Sequence, residues 1–351
     1  MEISKPFAGL KVIELATVLA GPATGMFFAE LGATVIKIEN PLTNGDVTRQ
    51  WKSANEDKNQ KTSAYYHSVN WGKEILFADI STDAGAEKLA ELLSDADILI
   101  VNFKSGDAEK FHLGFQSLSE KFPRLIYAHL SGYGENDPRP AFDLVMQAET
   151  GFMSMNGTSE SGPLKMPVAM IDLMAAHQLK EGILTSLFVR QKTGKGSKVS
   201  VSLYDAAISS LANQASNFLC ANFTAGLNGS LHPNIAPYGE TFLCKDGRYI
   251  VLAIGNDNQF RKFCDAFNLK EISESEKFKT NPSRIVFRNE LFEILRPAFS
   301  KLSSTEIIAL LNNLVPFALI KHIDEVLTSE SGKKMILNNQ CVKTASFVIS
   351  D

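Results

Sequence analysis

Much of what usually gives a function away is missing from this chain. Its four cysteines, Cys220, Cys244, Cys264 and Cys341, are far apart and form no CxxC pair. That pattern suggests reduced thiols and argues against a disulfide framework or a zinc site. The six histidines are scattered and none repeats at i, i+4, so metal catalysis has no support and no metal is expected. No apolar run approaches membrane-spanning length. The stretch Met1-Glu-Ile-Ser-Lys-Pro6 has neither the apolar segment of a signal peptide nor an Arg/Ser-rich transit profile. The formal net charge is −4, and the most basic stretch, Arg190 to Lys198, is broken by Gly194 and Gly196 and reads as a turn. Nothing marks a nucleic-acid binder. These absences lead to the expectation of a soluble, cytoplasmic protein with neither nucleic acid nor membrane as partner.

What remains is ordinary for a globular enzyme: 44% hydrophobic and 21% charged residues over 351 positions. That length exceeds the usual limit for one core, so two domains are expected. Leu10–Leu15 reads as a buried strand, Ala23–Leu31 as a helix closed by Gly32, and Thr34–Glu39 as a second strand. After a polar loop from Asn40 to Lys61 the alternation resumes. Strands are expected at Ile75–Ile80, Ile98–Val101, Leu125–Leu130 and Val199–Leu203. Helices are expected at Asp83–Leu93, Ala108–Phe122, about Phe142–Met153 and Ala206–Asn222. Such alternation predicts an α/β fold with a doubly wound, Rossmann-like parallel sheet, in which ligands bind beyond the C-terminal strand ends. The large domain is expected over residues 1–223, completed by 319–351, with a smaller α+β domain over 224–318.

One carboxylate stands out. The stretch from Met166 to Leu187 delivers Asp172 to the start of a helical pattern in which Leu173, Ala176, Leu179, Ile183 and Leu187 share a face. Asp is a good N-cap, and that plain role competes with a second one. Flanked by Val168, Met170 and Met174, an ionised but poorly hydrated carboxylate is a usable nucleophile toward an activated acyl carbon. Gly21, Pro22 and Gly25 occupy the first βα turn, but the G-x-G-x-x-G fingerprint is absent although Glu39 ends the second strand, which argues against a nicotinamide site. Gly194-Lys-Gly196-Ser197 is no Walker A loop, and no G-x-S-x-G elbow occurs. Tyr133, between two glycines, is a candidate site residue, since glycines let a ligand approach the backbone. Asn102, Phe103 and Lys110 have plain readings as a strand-end cap, a core aromatic and a solvated helix lysine.

Taken together, these stretches resemble the family III CoA-transferases (CaiB/BaiF), which include formyl-CoA transferase. The resemblance runs in order through Gly9–Leu15, Ala20-Gly21-Pro22, Leu31–Glu39, Gly45-Asp46, Asp97–Phe103 and Leu130–Gly134. It continues through Phe142–Gly151, Thr193–Leu203, His232–Tyr238 and Gly255–Phe260. It implies that Asp172 is the nucleophile. It also implies CoA contacts at Val18, Leu19 and Ala20, at Asn102, Phe103 and Lys110, and at Gly132, Tyr133 and Gly134. An interlocked homodimer is implied as well. Coenzyme A or its thioesters are then substrate, with no permanently bound cofactor. Formyl-CoA transferase has Gln where this chain has Leu19, which speaks against oxalate chemistry. Lys73-Glu74-Ile75 reverses one charge of a common Lys-Arg-Ser, and the chain lacks the family's Gly-Glu-His-Thr tail, a difference expected to loosen dimer wrapping.

The resulting expectation is CoA transfer from an acyl-CoA donor to a carboxylic acid acceptor, through an acyl-aspartyl anhydride and an aspartyl-CoA thioester. Backbone N–H groups of Gly226 or Gly229 are candidate oxyanion donors. The alternative is an acyl-CoA racemase or epimerase of the same fold, resembling the α-methylacyl-CoA racemases. Those use a His-Asp pair where this chain has Phe142-Asp143, and phenylalanine carries no proton. A third possibility is a non-catalytic CoA- or nucleotide-binding protein.

Overall fold

The computed structural model describes residues 5–350. Met1–Ser4 of the stretch read for targeting signals, and Asp351 at the end of the tail, lie outside the described residues. The chain divides into two compact units, the first holding residues through Phe152, Lys165–Ala221 and those from Glu330 on. The second holds Met153–Leu164 and Asn222–Ser329.

The first unit is built on six parallel strands. They are β1 (Lys11–Glu14), β2 (Thr34–Glu39), β3 (Glu74–Phe77), β4 (Ile98–Val101), β5 (Ile126–Ser131) and β6 (Lys198–Ser202). Their order is β3-β2-β1-β4-β5-β6, so the strand sequence reverses direction between β1 and β4, the crevice where such sheets bind ligands. The period-2 alternation of a sheet covered on both faces is visible residue by residue. Val12, Ile98, Ile100, Ile126 and Ala128 point into one core with the helices Ala20–Glu30 and Met170–Thr193. Ile13, Leu99, Val101 and Tyr127 point into the other, with Leu89, Leu93 and Leu118. Burying each of the Val, Ile and Leu side chains among them contributes roughly 1.5–3 kcal/mol. At the N-terminal end of the strands, Asp97 accepts from the Lys11 N–H at 2.9 Å and from Arg190 at 2.8 Å. This end is closed.

The second unit centres on an antiparallel sheet of β7 (Tyr238–Leu243), β8 (Tyr249–Ala253) and β9 (Phe317–Leu319), in the order β9-β8-β7. Its core is aromatic: Phe242 stacks on Phe299 with centroids 4.2 Å apart, and Phe260 and Phe263 lie fully buried beside them. The division differs from the sequence expectation in two places. Leu319 pairs with Ile250, so the unit runs on through Ser329 and does not stop at 318. The segment Met153–Leu164 also joins it, because Thr158 bridges Asn228 and Gly229 donates to the Gly157 carbonyl at 2.7 Å.

Local differences have identifiable causes. The helix expected over 108–122 is two short ones, Asp107–Lys110 and Phe115–Lys121, separated where His112 adopts a left-handed φ of 56°. The helix expected over 206–222 breaks likewise at Ala212, φ 47°. Between the polar loop, which was read to end at Lys61, and β3 lies an unexpected helix, Ala64–Asn70, capped by the Ser63 hydroxyl, which accepts from the Tyr66 N–H.

Candidate active site

The floor of the site is the turn after β1. Thr17 and Asn102 clasp each other across the crevice: the Thr17 N–H donates to Asn102 Oδ1 at 3.1 Å, and Asn102 Nδ2 donates to the Thr17 carbonyl at 3.0 Å. Asn102 therefore ties β1 to β4 through its side chain. Val18 then takes φ 72°, a left-handed value unusual for a β-branched residue. Leu19 follows as N-cap of the Ala20–Glu30 helix. Both glycines of this turn face other protein atoms. A Cβ on Gly21 would lie 2.3 Å from the Ala16 Cβ, and one on Gly25 would lie 1.8 Å from Glu14 Oε2. Their role is close packing of helix on strand.

Beneath this turn lies a cluster of buried charges. Lys37, whose side chain is fully buried, donates to Glu14 Oε1 at 3.0 Å and to the Ala16 carbonyl at 2.7 Å, and pairs with Asp46 Oδ2 at 3.0 Å. The Lys73 side chain, also fully buried, pairs with Glu14 at 2.8 Å and donates to the Pro22 carbonyl and to Asn70. Glu74, the residue of reversed charge, is exposed and has no part in this cluster. Glu39 accepts a two-pronged Arg49 guanidinium at 2.6 and 3.0 Å and the Tyr66 hydroxyl at 2.7 Å. The acid that would have met a ribose in a dinucleotide site is thus occupied by the protein itself.

Asp172 is treated differently. The long helix starts at Met170 with Ala169 as N-cap, so Asp172 sits in the third helical position and caps nothing. The N-cap reading of Asp172 is thus corrected: Asp143 does that work from another helix, Asp143–Glu149. Its Oδ1 accepts from the Ile171 N–H at 2.7 Å and from the Asp172 N–H at 3.3 Å, and its Oδ2 accepts from Gln147 at 2.6 Å. The positive end of the helix is taken by that carboxylate. Asp172 itself is 8% exposed, and among the described residues its side chain has no ion pair or hydrogen bond. Burial, and then the neighbouring Asp143 charge, push its carboxyl up to about 7. Tyr65 feels the same surroundings: burial foremost, then Asp172, push its phenol up to about 12.

Asp172 opens onto a cavity of about 420 Å³, with Val18, Leu19, Trp51, Tyr65, Phe142 and Lys165 among its walls, a size suited to a small organic group. A second cavity of about 350 Å³ shares Val18 and Phe142 with it and adds Asn102, Phe103, Gly132 and Gly134. A third, of about 390 Å³, shares Thr17 and Phe103 with the second and reaches Lys110. Most of the expected contact residues therefore line one row of cavities at the C-terminal strand ends. One does not: Ala20 is 4% exposed within the core. Tyr133 lines a more open cavity that shares Gly134 with the second, while its ring packs on Tyr204 and under the Arg139 guanidinium, 3.6 Å from its centroid. Gly226 and Gly229 belong to the second unit. The Gly229 N–H is already held by the Gly157 carbonyl, so as an oxyanion donor it is corrected.

Sequence reasoning missed Trp51, Tyr65 and Lys165 as cavity walls and Asp143 as the cap. The signal for the first two was an aromatic pair in an otherwise polar stretch; their rings meet edge to face at 5.1 Å. Asp143 gave no signal, because its partners lie 28 and 29 residues away.

Residues 7–338 match CoA-transferase family III. This chain belongs to that family. Among curated relatives, succinate–glutarate CoA-transferase of Agrobacterium fabrum is 35% identical over 92% of this chain and 81% of its own length. Human succinyl-CoA:glutarate CoA-transferase is 34% identical over 96% and 76%. Succinyl-CoA:mesaconate CoA-transferase of Haloarcula hispanica is 32% identical over 90% and 81%. Among solved structures, a CaiB/BaiF family protein of Brucella suis superimposes with a TM-score of 0.82 at 35% identity, covering 95% of this chain and 88% of that one. The protein is thus a CoA-transferase of family III, with the family's mixed α/β architecture and six-stranded parallel sheet. No helix among the described residues is long and apolar enough to cross a membrane.

Proposed function

We propose that this family III CoA-transferase moves CoA from an acyl-CoA donor to a small carboxylic acid, with Asp172 as the covalent carrier. The observation that carries this reading is a buried carboxylate at the wall of a cavity, with no group among the described residues bound to its oxygens. A carboxylate held by cations or N–H donors is a poor nucleophile; this one is held by none. Ionised, its oxygen attacks the thioester carbonyl, the C–S bond breaks, and CoA leaves as thiolate with an acyl-aspartyl anhydride behind it. The thiolate attacks the aspartyl carbonyl carbon, the donor acid departs, and an aspartyl-CoA thioester remains. The acceptor carboxylate displaces CoA to give a second anhydride, and the thiolate attacks its acyl carbon to release the new acyl-CoA and free Asp172.

The relatives that act on succinate, glutarate and mesaconate favour short dicarboxylates here, with succinyl-CoA as donor. Lys165, exposed on the cavity wall and donating to the Met166 and Pro167 carbonyls at 3.3 and 3.5 Å, meets the second carboxylate in this reading. The CoA arm follows the row of cavities past Val18, Asn102, Phe103, Gly132 and Gly134 to Lys110. The protein works as an interlocked homodimer. Exposed Leu184, Phe188 and Val189 of the long helix, with Phe218 and Leu219, supply apolar surface for it.

The same cavity disfavours the racemase alternative, since Phe142 lines it and cannot carry a proton. The test compares wild type with Asp172→Ala in a succinyl-CoA/glutarate exchange. The variant is expected to fold and lose exchange by about 10⁴-fold or more, and hydroxylamine is expected to trap the acyl group on wild type alone. An active alanine variant, or deuterium wash-in at the substrate α-carbon without any acceptor acid, would overturn the reading.

A further inference from the structure

We infer that Asp46 is a positioning residue that holds the Val18–Leu19 turn in the left-handed form the acyl-CoA site requires; the inference rests on the CoA-transferase reading. Val18 is half-buried at φ 72°, a region where a Cβ with two branches collides with its own backbone and which persists only when surroundings fix it. One side chain supplies that restraint. The Val18 N–H donates to both Asp46 oxygens, at 3.2 and 3.4 Å.

Asp46 is itself immobilised. It is 1% exposed; its Oδ1 accepts from the Thr48 N–H at 3.0 Å and hydroxyl at 2.8 Å, and its Oδ2 pairs with the buried Lys37 at 3.0 Å. Its own N–H donates to Glu39 Oε2 at 2.9 Å. Gly45 permits this approach, with φ 84° and a Glu39 oxygen only 2.0 Å from where a Cβ would stand. Lys37 in turn grips the Ala16 carbonyl at 2.7 Å. The turn is therefore held from below at Ala16 and at Val18, while its upper side, Val18 and Leu19, faces the Asp172 cavity. Released, Val18 returns to an ordinary negative φ, which reorients the peptide between Val18 and Leu19 and changes the cavity wall beside the nucleophile.

The test is a double-mutant cycle read in the KM for acyl-CoA and in kcat. Asp46→Asn is expected to raise KM about tenfold or more with a smaller change in kcat. In a Val18→Gly background, where the left-handed form carries no steric penalty, the same Asp46→Asn change is expected to move KM less than about threefold. A contribution to overall folding alone would give equal factors in both backgrounds, and that result overturns the inference. So does an unchanged KM in Asp46→Asn alone. If Asp46→Asn fails to fold, Asp46→Asn/Lys37→Met removes the cation that has lost one of its two carboxylates, and the same comparison, with and without Val18→Gly, is made there. Asp172→Ala keeps the two ideas distinguishable: if it stays active the transferase mechanism falls, whereas equal factors in the cycle remove only the role of Asp46.

Discussion

Two regions of the first unit treat buried carboxylates in opposite ways. Under the β1 turn, Glu14, Asp46 and Glu39 each meet a cation, and the fully buried side chains of Lys37 and Lys73 are matched by acceptors on all sides. At the start of the long helix, Asp172 is almost as buried, yet the charge that acts on it is that of another carboxylate, Asp143. Burial alone does not distinguish the two regions; partners do. A partnered carboxylate is a fixed support, and an unpartnered one stores unfavourable solvation that bond formation relieves, since an ester, anhydride or thioester carries no charge.

The sharpest way to break this comparison is to remove a partner from the supporting cluster. Lys37→Met leaves Glu14 and Asp46 short of a cation, and urea denaturation is expected to show a loss of about 3–5 kcal/mol or outright failure to fold. An effect near zero would mean that the two regions do not differ as described. Next, the selectivity of the open region depends on Lys165. Lys165→Met is expected to lower kcat/KM for glutarate about tenfold while leaving butyrate within about twofold, measured side by side in one exchange assay; equal losses for both acids would remove Lys165 from specificity.

Asp143 offers a subtler probe. Asp143→Asn keeps an oxygen for the helix N–H groups but deletes the negative charge beside Asp172. The acid limb of kcat/KM, expected near pH 7 in wild type, should move to lower pH by roughly half a unit to one unit. A limb that stays in place or moves upward would exclude Asp143 as the source. The smallest effect concerns stability. Asp172 has a folded-state pKa raised from the usual carboxylate value to about 7. Its favourable contribution is therefore complete below about pH 4 and declines as pH rises, being lost once pH passes about 7. Asp172→Asn should raise the melting temperature at pH 8 and change it little at pH 4. The same gain at both values would assign the effect to packing.

The fold of the first unit was largely legible, and for a physical reason. β2 and β4 are short apolar runs bounded by turn residues, and the bounds Thr34–Glu39 and Ile98–Val101 agree with the pattern. Asp172 was legible as a residue, but not its environment. Its isolation depends on Asp143 reaching across 29 residues to cap the helix, and no local pattern encodes that. The same limit misplaced the unit boundaries. Phe317–Leu319 is a three-residue edge strand, too short for periodicity, and the segment Met153–Leu164 meets the second unit through the Thr158–Asn228 bridge and the Gly229–Gly157 bond, which no local pattern encodes. Asn102 shows a further limit: its place at a strand end was clear, whereas its reciprocal bonds with Thr17 appear only once β1 and β4 lie side by side.

The most direct measurement is peptide mass spectrometry after rapid acid quench of enzyme mixed with succinyl-CoA and no acceptor acid. The peptide containing Asp172 is expected to carry the added mass of CoA in thioester linkage at that residue, and to lose it when glutarate is supplied before the quench. An unmodified Asp172 peptide in a turning-over sample, or CoA attached at any other side chain, contradicts Asp172 as the covalent carrier.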